Sequence, residues 1–294
     1  VSKNLANNPK VQVFKTYGTA MIKYEGIDIE FVGARKESYS IDSRNPTIEG
    51  GSLEEDQNRR DFTINALAIS LNTTSYGDLL DPFNGISDIM SKRIKTPLEP
   101  AITYSDDPLR MLRAIRFATQ LNFTIDPASL KAIKEQSKRI EIITNERINV
   151  ELQKILECKK PSIGFLLLEK TELLNYIVPE LTALKGVDEI EGQKHKDNFY
   201  HTLEVVDNIS NYTENIWLRW AAPGARVIYD IAQALTIGSL VYAAFALSPN
   251  KPALARLLSF SAVTASFWAF AGTAYLLFTY LNITGTGISL DSSF

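Results

Sequence analysis

The strongest constraint on what this chain can fold into is a loss of charge in its last quarter. Leu257 to Leu281 is 25 residues without one charged side chain. Ile231–Leu247 is a second charge-free run, extendable through Asp230 to Val227. About 20 apolar residues span the hydrocarbon core of a bilayer. The segments 227–247 and 257–281 are therefore read as two hydrophobic, membrane-spanning helices joined by "SPNKPALAR". The competing reading is a helix pair buried in a large soluble core, but nothing else in the chain is big enough to surround both.

Upstream, the composition is of another kind. Of 31 basic and 34 acidic residues, only Arg226, Lys251, Arg256, Asp230 and Asp291 fall within 222–294. Residues 1–221 are thus charge-rich and mildly acidic, as in a soluble cytoplasmic domain. The single cysteine, Cys158, excludes an internal disulfide and fits a reducing compartment. Its ordinary role is a small buried side chain. The chain opens on Val1, with no charged segment and apolar run of a signal peptide. A truncated N-terminus is expected.

Periodicity divides the charged part. Residues 11–40 alternate apolar and polar side chains with turn signals at Gly18 and Gly26, which predicts strands. Arg60 to Leu71 reads as helical, and "GDLLDPFNGISDIMSKRIK" as a short loop region punctuated by Pro82 and Gly85. From Asp106 to about Ile209 the pattern is helix after helix. Leu109, Leu112, Ile115 and Ala118 or Leu121 form one apolar stripe, preceded by the cap and first-turn residues Ser105 to Pro108.

Two polar clusters stand out. In "NRRDFTINALAI", Arg59 and Arg60 at a helix start can grip a polyphosphate through forked, charge-assisted hydrogen bonds. Asp61 can buttress an arginine, and Asn65 lies one turn on. In "DDPLRMLRAIRF", Asp107, Arg110, Arg113 and Arg116 recur every three residues and form one polar ridge. A carboxylate that accepts from an exocyclic amine, beside a guanidinium that donates to ring acceptors, can read the Watson–Crick edge of a base. Each cluster also has a bland reading, as a solvated helix face with intrahelical ion pairs.

Taken in order, these stretches resemble the class II tRNA nucleotidyltransferases (CCA-adding enzymes) and the related bacterial poly(A) polymerases. "GTAMIKYEGIDIEFVGARKESY" looks like the strand pair carrying the third metal-binding carboxylate. "GSLEEDQNRRDFTINALAI" matches the RRDFTINA motif and "GDLLDPFNGISDIMSKRIKTPLEP" the neck motif. "SDDPLRMLRAIRFATQLNF" matches the EDxxR nucleotide-reading motif, with Asp106 in place of Glu. "ERINVELQKIL" looks like the next helical motif, and "HKDNFYHTLEVVDNIS" like the start of an HD-type domain. The resemblance covers about residues 10–221. It implies an α+β fold: a remnant of a β-sheet palm (1–100), an all-α neck and body that reads nucleotide and binds RNA (101–190), and the start of an HD-type domain (191–221). The two-helix membrane segment would follow at 222–294.

The resemblance also implies an activity. Carboxylate-held Mg2+ would activate the tRNA 3′-hydroxyl for attack on the α-phosphate of CTP or ATP. Glu30 would be the catalytic, metal-binding carboxylate. Arg60 would hold triphosphate, supported by Arg59, Asp61 and Asn65. Asp107 and Arg110 would pair with the incoming base, with Arg113 and Arg116 lining the same pocket. The family's glycine-rich GGxVRD stretch and DxD strand should precede residue 10, where there is no room for them. With one carboxylate, little or no transferase activity is expected. Poly(A) polymerase-type adenylyl transfer, or a membrane protein with a vestigial nucleotide-binding domain, are the alternatives.

An HD-type phosphohydrolase is disfavoured, because His195 and His201 are the only histidines and no His-Asp dipeptide occurs. From about Pro223 the tail weakly resembles the membrane segments of CopD-like copper-resistance proteins, without a His, Cys or Met ligand cluster. Two unrelated pieces joined near Ala222 are therefore expected.

Overall fold

The computed structural model describes residues 10–14, 18–40, 43–186, 189–190, 193–194, 197–221 and 259–273, with isolated helical positions between 224 and 236. It divides into two compact units, Val1–Asp107 and Pro108–Phe294.

The first unit begins with an antiparallel sheet, β1 (Val11–Phe14), β2 (Thr19–Tyr24) and β3 (Ile27–Val32), with β2 in the middle. Tyr24 pairs with Ile27, so β2 and β3 are joined by a two-residue turn. Its residues Glu25 and Gly26 both have positive φ, 48° and 79°. That geometry matches the right-handed twist of the strands and suits glycine. Ile22 is the buried apolar residue of this sheet, while Val13, Phe31 and Val32 stay exposed. A second hairpin, β4 (Arg35–Ser40) and β5 (Ser43–Gly50), follows.

Then comes α1 (Leu53–Asn58), started by a reciprocal capping box. Glu55 N donates to Ser52 Oγ at 3.2 Å, and Ser52 N donates to Glu55 Oε2 at 2.9 Å.

The helix expected over 60–71 does not form. Phe62 is extended (φ −137°, ψ 152°) and fully buried, and Thr63 N donates across to Lys95 O at 2.9 Å. A 3-10 turn, Thr63–Asn65, follows, and Ala68–Ile69 is a strand (β6) paired with Leu79–Leu80 (β7). Tertiary burial of Phe62 and cross-strand pairing override the helical periodicity.

The expected loop region is also more ordered than its composition implied. It holds β7, a helix α2 (Gly85–Met90) and a strand β8 (Arg93–Ile94). Asp81 accepts from Gly85 N (2.6 Å) and Ile86 N (3.0 Å) at the start of α2. A Cβ on Gly85 would lie 2.5 Å from Thr63 O, so only glycine lets α2 press against that turn. Buried Asp88 ties the pieces together by accepting from Thr63 Oγ1 (2.8 Å) and Arg93 Nε (2.9 Å). The unit ends with α3 (Pro100–Asp106).

The second unit is built on α4 (Leu109–Leu121), whose stripe of Met111, Leu112, Ile115 and Ala118 is fully buried. It packs on α6 (Asn145–Leu156) and α7 (Pro161–Lys170), and α7 packs on α10 (Asn198–Tyr212). Between them run β9 (Thr124–Ile125), α5 (Pro127–Gln136) and, after α7, α8 (Leu174–Ile177), α9 (Pro179–Thr182) and the short pair β10 (Glu189–Ile190) and β11 (Gln193–Lys194). On α7, Gly164 gives close approach, since a Cβ there would lie 2.4 Å from Ile155 Cγ2 and 2.9 Å from Thr119 Oγ1. On α10, Asp207 caps α7 by accepting from Ser162 N (2.9 Å) and Ser162 Oγ (2.6 Å). Buried Arg219 donates to Leu156 O (2.5 Å), Cys158 O (3.2 Å), Ser210 O (3.1 Å) and Thr213 O (2.9 Å), closing the ends of α6 and α10.

In the tail, residues 259–273 form a helix. Among the described residues no helix is long and apolar enough to cross a membrane. The expectation of two spanning helices is not met there. Most of 227–247, the ends of 257–281 and the expected join at Ala222 lie outside the described residues.

Candidate nucleotide-binding residues

In the first unit the arginine pair sits where the sequence reading did not put it. Arg59 is the C-cap of α1, not the start of a helix. A helix C-terminus carries partial negative charge and favours cations, so the site owes nothing to a helix N-terminus. Both guanidinium groups converge on Asp56. Arg59 Nε donates to Asp56 Oδ1 at 3.0 Å, and Arg60 Nη2 and Nε donate to Asp56 Oδ2 at 2.8 and 3.2 Å. Arg59 Nη1 also donates to Glu37 Oε1 at 3.1 Å. Burial raises the Asp56 carboxyl, but the hydrogen bonds from Arg59 and Arg60 and their charge outweigh that and hold it below its ordinary value. The Arg59 side chain is only 15% exposed, whereas that of Arg60 is 45% exposed. The two arginines thus differ in role. Arg59 is spent within the fold, and Arg60 is held at one edge with much of its fork open.

Asp56 buttresses both arginines. Buried Asp61 accepts from Phe62 N (3.0 Å) and Asn65 Nδ2 (3.0 Å), fixing the 3-10 turn. Asp56 and Glu37 were not among the sequence candidates. The signal for Asp56 was present in "DQNRR", where an acid precedes arginines at i+3 and i+4. Glu37 comes from the distant β4 and has no such local signal.

Glu30 lies exposed on β3 opposite Met21, two residues from Asp28, which pairs with Lys23 at 3.5 Å. Among the described residues no three acidic, histidine or cysteine side chains come together to hold a metal. The described donor set therefore does not fit a magnesium site. His201 lies on α10, 3.8 Å from Glu204, and His195 lies outside the described residues.

Asp107 is the C-cap of α3 (φ −136°, ψ 99°) and precedes α4 rather than lying on it. On α4 the arginine ridge is not a solvated face. Arg110 and Arg116 are each 8% exposed. Arg116 pairs with Glu151 of α6 at 2.6 Å, lies 3.9 Å over the Phe117 ring and donates to Gln120 at 3.2 Å. Its ionic partner is across the bundle, while Gln120, one turn along α4, accepts a second bond. Arg113 is half-buried, 5.5 Å from the Phe117 ring centre. Next to Arg116 opens a cleft of about 820 Å3 whose lining includes Lys154, Cys158, Lys159 and Lys160. Burial and the Glu157 charge raise the Cys158 thiol, against the lowering effect of Arg116 and Arg219.

Comparison with known proteins bears on both units. The family described as "Poly A polymerase head domain" matches residues 1–95. That described as "Probable RNA and SrmB- binding site of polymerase A" matches residues 122–185. Two separate stretches of the chain thus match models of the poly(A) polymerase family.

Among similar sequences are the nucleotidyltransferase LcsQ of Purpureocillium lilacinum (42% identical, covering 68% of this chain and 31% of that one) and the CCA-adding enzyme of Limosilactobacillus reuteri (43%, covering 50% and 36%). A third is the A-adding tRNA nucleotidyltransferase of Aquifex aeolicus (43%, covering 46% and 16%). The chain thus spans well under half the length of these relatives. Solved structures share the fold. The apo form II of a CCA-adding enzyme superposes with a TM-score of 0.60 at 20% identity, over 97% of this chain and 72% of that one. A tRNA nucleotidyltransferase complexed with a primer tRNA and an incoming ATP analogue gives 0.56 at 23%, over 94% and 84%.

Proposed function

We propose that this chain binds CTP and ATP and engages tRNA 3′ ends, as in CCA addition. The observation that carries this reading is the Asp56–Arg59–Arg60 cluster. One buried carboxylate orients two guanidinium groups and leaves Arg60 with free donors, which suits a triphosphate. Residues 1–100 would form a partial catalytic domain, 101–190 the nucleotide-reading and RNA-binding region, and 191–221 the start of an HD-type domain. Asp107 and Arg110 would read the base, with Arg113 beside them. Arg116, paired with Glu151, would hold α4 in place. Lys154, Lys159 and Lys160 would offer RNA phosphates a local basic patch on an acidic chain.

The test is equilibrium binding of CTP and ATP to the full chain. Micromolar binding that falls at least about tenfold in both Arg60→Ala and Arg110→Ala supports the reading, since each variant removes a charge-assisted contact. Absence of binding overturns it. Incubation with tRNA lacking its CCA end, CTP, ATP and Mg2+ should give little addition, because the one candidate metal carboxylate described, Glu30, stands without a cluster.

Poly(A)-type adenylyl transfer is the second reading, favoured by the head-domain match. Preference for unstructured RNA and ATP alone over tRNA with CTP separates it from the first.

A further inference from the structure

The connection between α6 and α7 is four residues long, Glu157–Lys160, and carries two of the lysines that line the basic cleft. Glu157, Lys159 and Lys160 are exposed on it. Glu157 and Lys159 also line a second cleft of about 830 Å3, whose lining includes Ser210, Thr213 and Arg219. The connection is thus a shared wall of two openings. With three of its four residues exposed, its place depends on how its ends are held rather than on burial.

Both ends are gripped from α10 and the residues after it. At the start, Arg219 Nη1 donates to Leu156 O at 2.5 Å and to Cys158 O at 3.2 Å, the carbonyls on either side of Glu157. The same guanidinium reaches the end of α10, with Nη2 on Ser210 O at 3.1 Å and Nε on Thr213 O at 2.9 Å. At the far end, Asp207 accepts from Ser162 N at 2.9 Å and Ser162 Oγ at 2.6 Å. Each anchor suits what it holds. A cation takes carbonyls at two helix C-termini, and an anion takes an amide in the first turn of α7. Arg219 is 4% exposed and sits on helical residues 216–221, whose start Asn215 caps by accepting from Trp217 N at 3.0 Å. Both anchors lie outside residues 122–185, the second stretch with a family match.

We propose that Arg219 and Asp207 are positioning residues for RNA: they fix the Glu157–Lys160 connection so that Lys159 and Lys160 meet a phosphate backbone already in place. Binding residues commonly sit on loops that a rigid scaffold positions. A loop that must be ordered on binding loses affinity to that ordering, and a loop ordered beforehand does not. This role rests on the reading of the cleft as an RNA site. It ties α10 and residues 213–221 to RNA binding through the connection they hold, with no contact to RNA of their own required.

The experiment is tRNA binding across a salt series by four full chains: wild type, Arg219→Lys, Lys159→Ala/Lys160→Ala, and the triple variant. Lysine keeps the charge at 219 but offers one nitrogen, which cannot serve carbonyls at two helix ends. Arg219→Lys should weaken tRNA binding at least about fivefold at about 50 mM salt and lower the salt slope by about 1, the loss of one phosphate contact. In the background without the two lysines it should have no further effect, because both changes remove the same contacts. Asp207→Ala, which removes the other anchor, should show the same dependence on background and decides the matter if Arg219→Lys does not fold. Far-ultraviolet circular dichroism at the assay temperature verifies the fold of each chain. Affinity that needs the lysines, with an anchor effect that is absent or of equal size in both backgrounds, overturns the proposal alone and leaves the anchors a purely structural role. Wild type that binds no tRNA, or tRNA affinity indifferent to the two lysines, overturns the reading of the cleft and the proposal with it.

Discussion

Arg116 of α4 and Glu151 of α6 meet at 2.6 Å with side-chain exposures of only 9% and 5%. Two charges so far from water interact strongly, and neither can be left alone cheaply. Lys154 reaches the same carboxylate at 3.6 Å from the cleft side, so the pair is the inner end of a short charged chain. Glu151→Ala is therefore expected to destabilise the protein by about 3–5 kcal/mol, the usual cost of stranding one member of a buried pair. Arg116→Met/Glu151→Leu should cost far less, because it removes both charges and keeps the volume. Urea unfolding of the two variants checks the contrast. Equal losses would show that the interaction is not a coupled buried pair.

Asp56 makes a prediction about acid. Its carboxyl is held below the ordinary value, so in the folded chain it stays ionised to lower pH than in the unfolded chain. The stability it contributes is present above the unfolded aspartate range, about pH 4, and is lost as pH falls through the lower folded value. Asp56→Asn should lower stability at neutral pH and flatten the dependence below about pH 4. It should also weaken triphosphate binding by freeing the forks of Arg59 and Arg60. Thermal unfolding from pH 3 to pH 7 reads the first effect. An unchanged acid slope in Asp56→Asn would mean that the two arginines do not hold this carboxylate.

Gly164 tests the close packing of α7 on α4 and α6. An added methyl would sit 2.4 Å from Ile155 Cγ2, a side chain that is itself fully buried. Gly164→Ala would normally gain helix propensity, about 0.5–1 kcal/mol. Here overpacking should reverse the sign and give a net loss of about 1–3 kcal/mol. Gly164→Ala combined with Ile155→Leu, which removes the crowding Cγ2 branch and keeps the side-chain volume, should recover part of the loss. A stabilised single variant would show that the helices can move apart at no cost.

Features that depend on local rules were legible in the sequence. The alternation before residue 40 gave strands, and Glu25–Gly26 a turn. The α4 stripe gave a buried helix face, because 3.6-residue periodicity is a local property. What failed depended on distant partners. The helix expected over 60–71 yielded to the burial of Phe62 and the bond from Thr63 N to Lys95 O. The bland reading of the arginine ridge as a solvated face failed because nothing near it in sequence announces Glu151, 35 positions beyond Arg116. At the candidate site, Arg59 and Arg60 were found, but their sense was reversed. The capping box at Ser52 and Glu55 starts α1 at Leu53, ahead of the helix expected from Arg60, which turns the arginines from helix-start residues into helix-end ones.

The cleft at the end of α6 gives the last prediction. Lys159 and Lys160 are exposed there, next to Lys154, on a chain whose net charge is −3. Long-range attraction therefore cannot draw RNA to the chain as a whole, and any affinity must come from a local patch. Lys159→Glu/Lys160→Glu should weaken binding of tRNA to the full chain at least about tenfold at 50 mM salt. It should also lower the slope of log affinity against log salt by about 1–2, the number of phosphate contacts removed. CTP binding should not change, because neither lysine belongs to the candidate triphosphate cluster. Filter binding across a salt series measures both quantities. A loss of tRNA affinity with an unaltered slope would place the effect in folding, whereas no loss at all would move the RNA path away from this cleft.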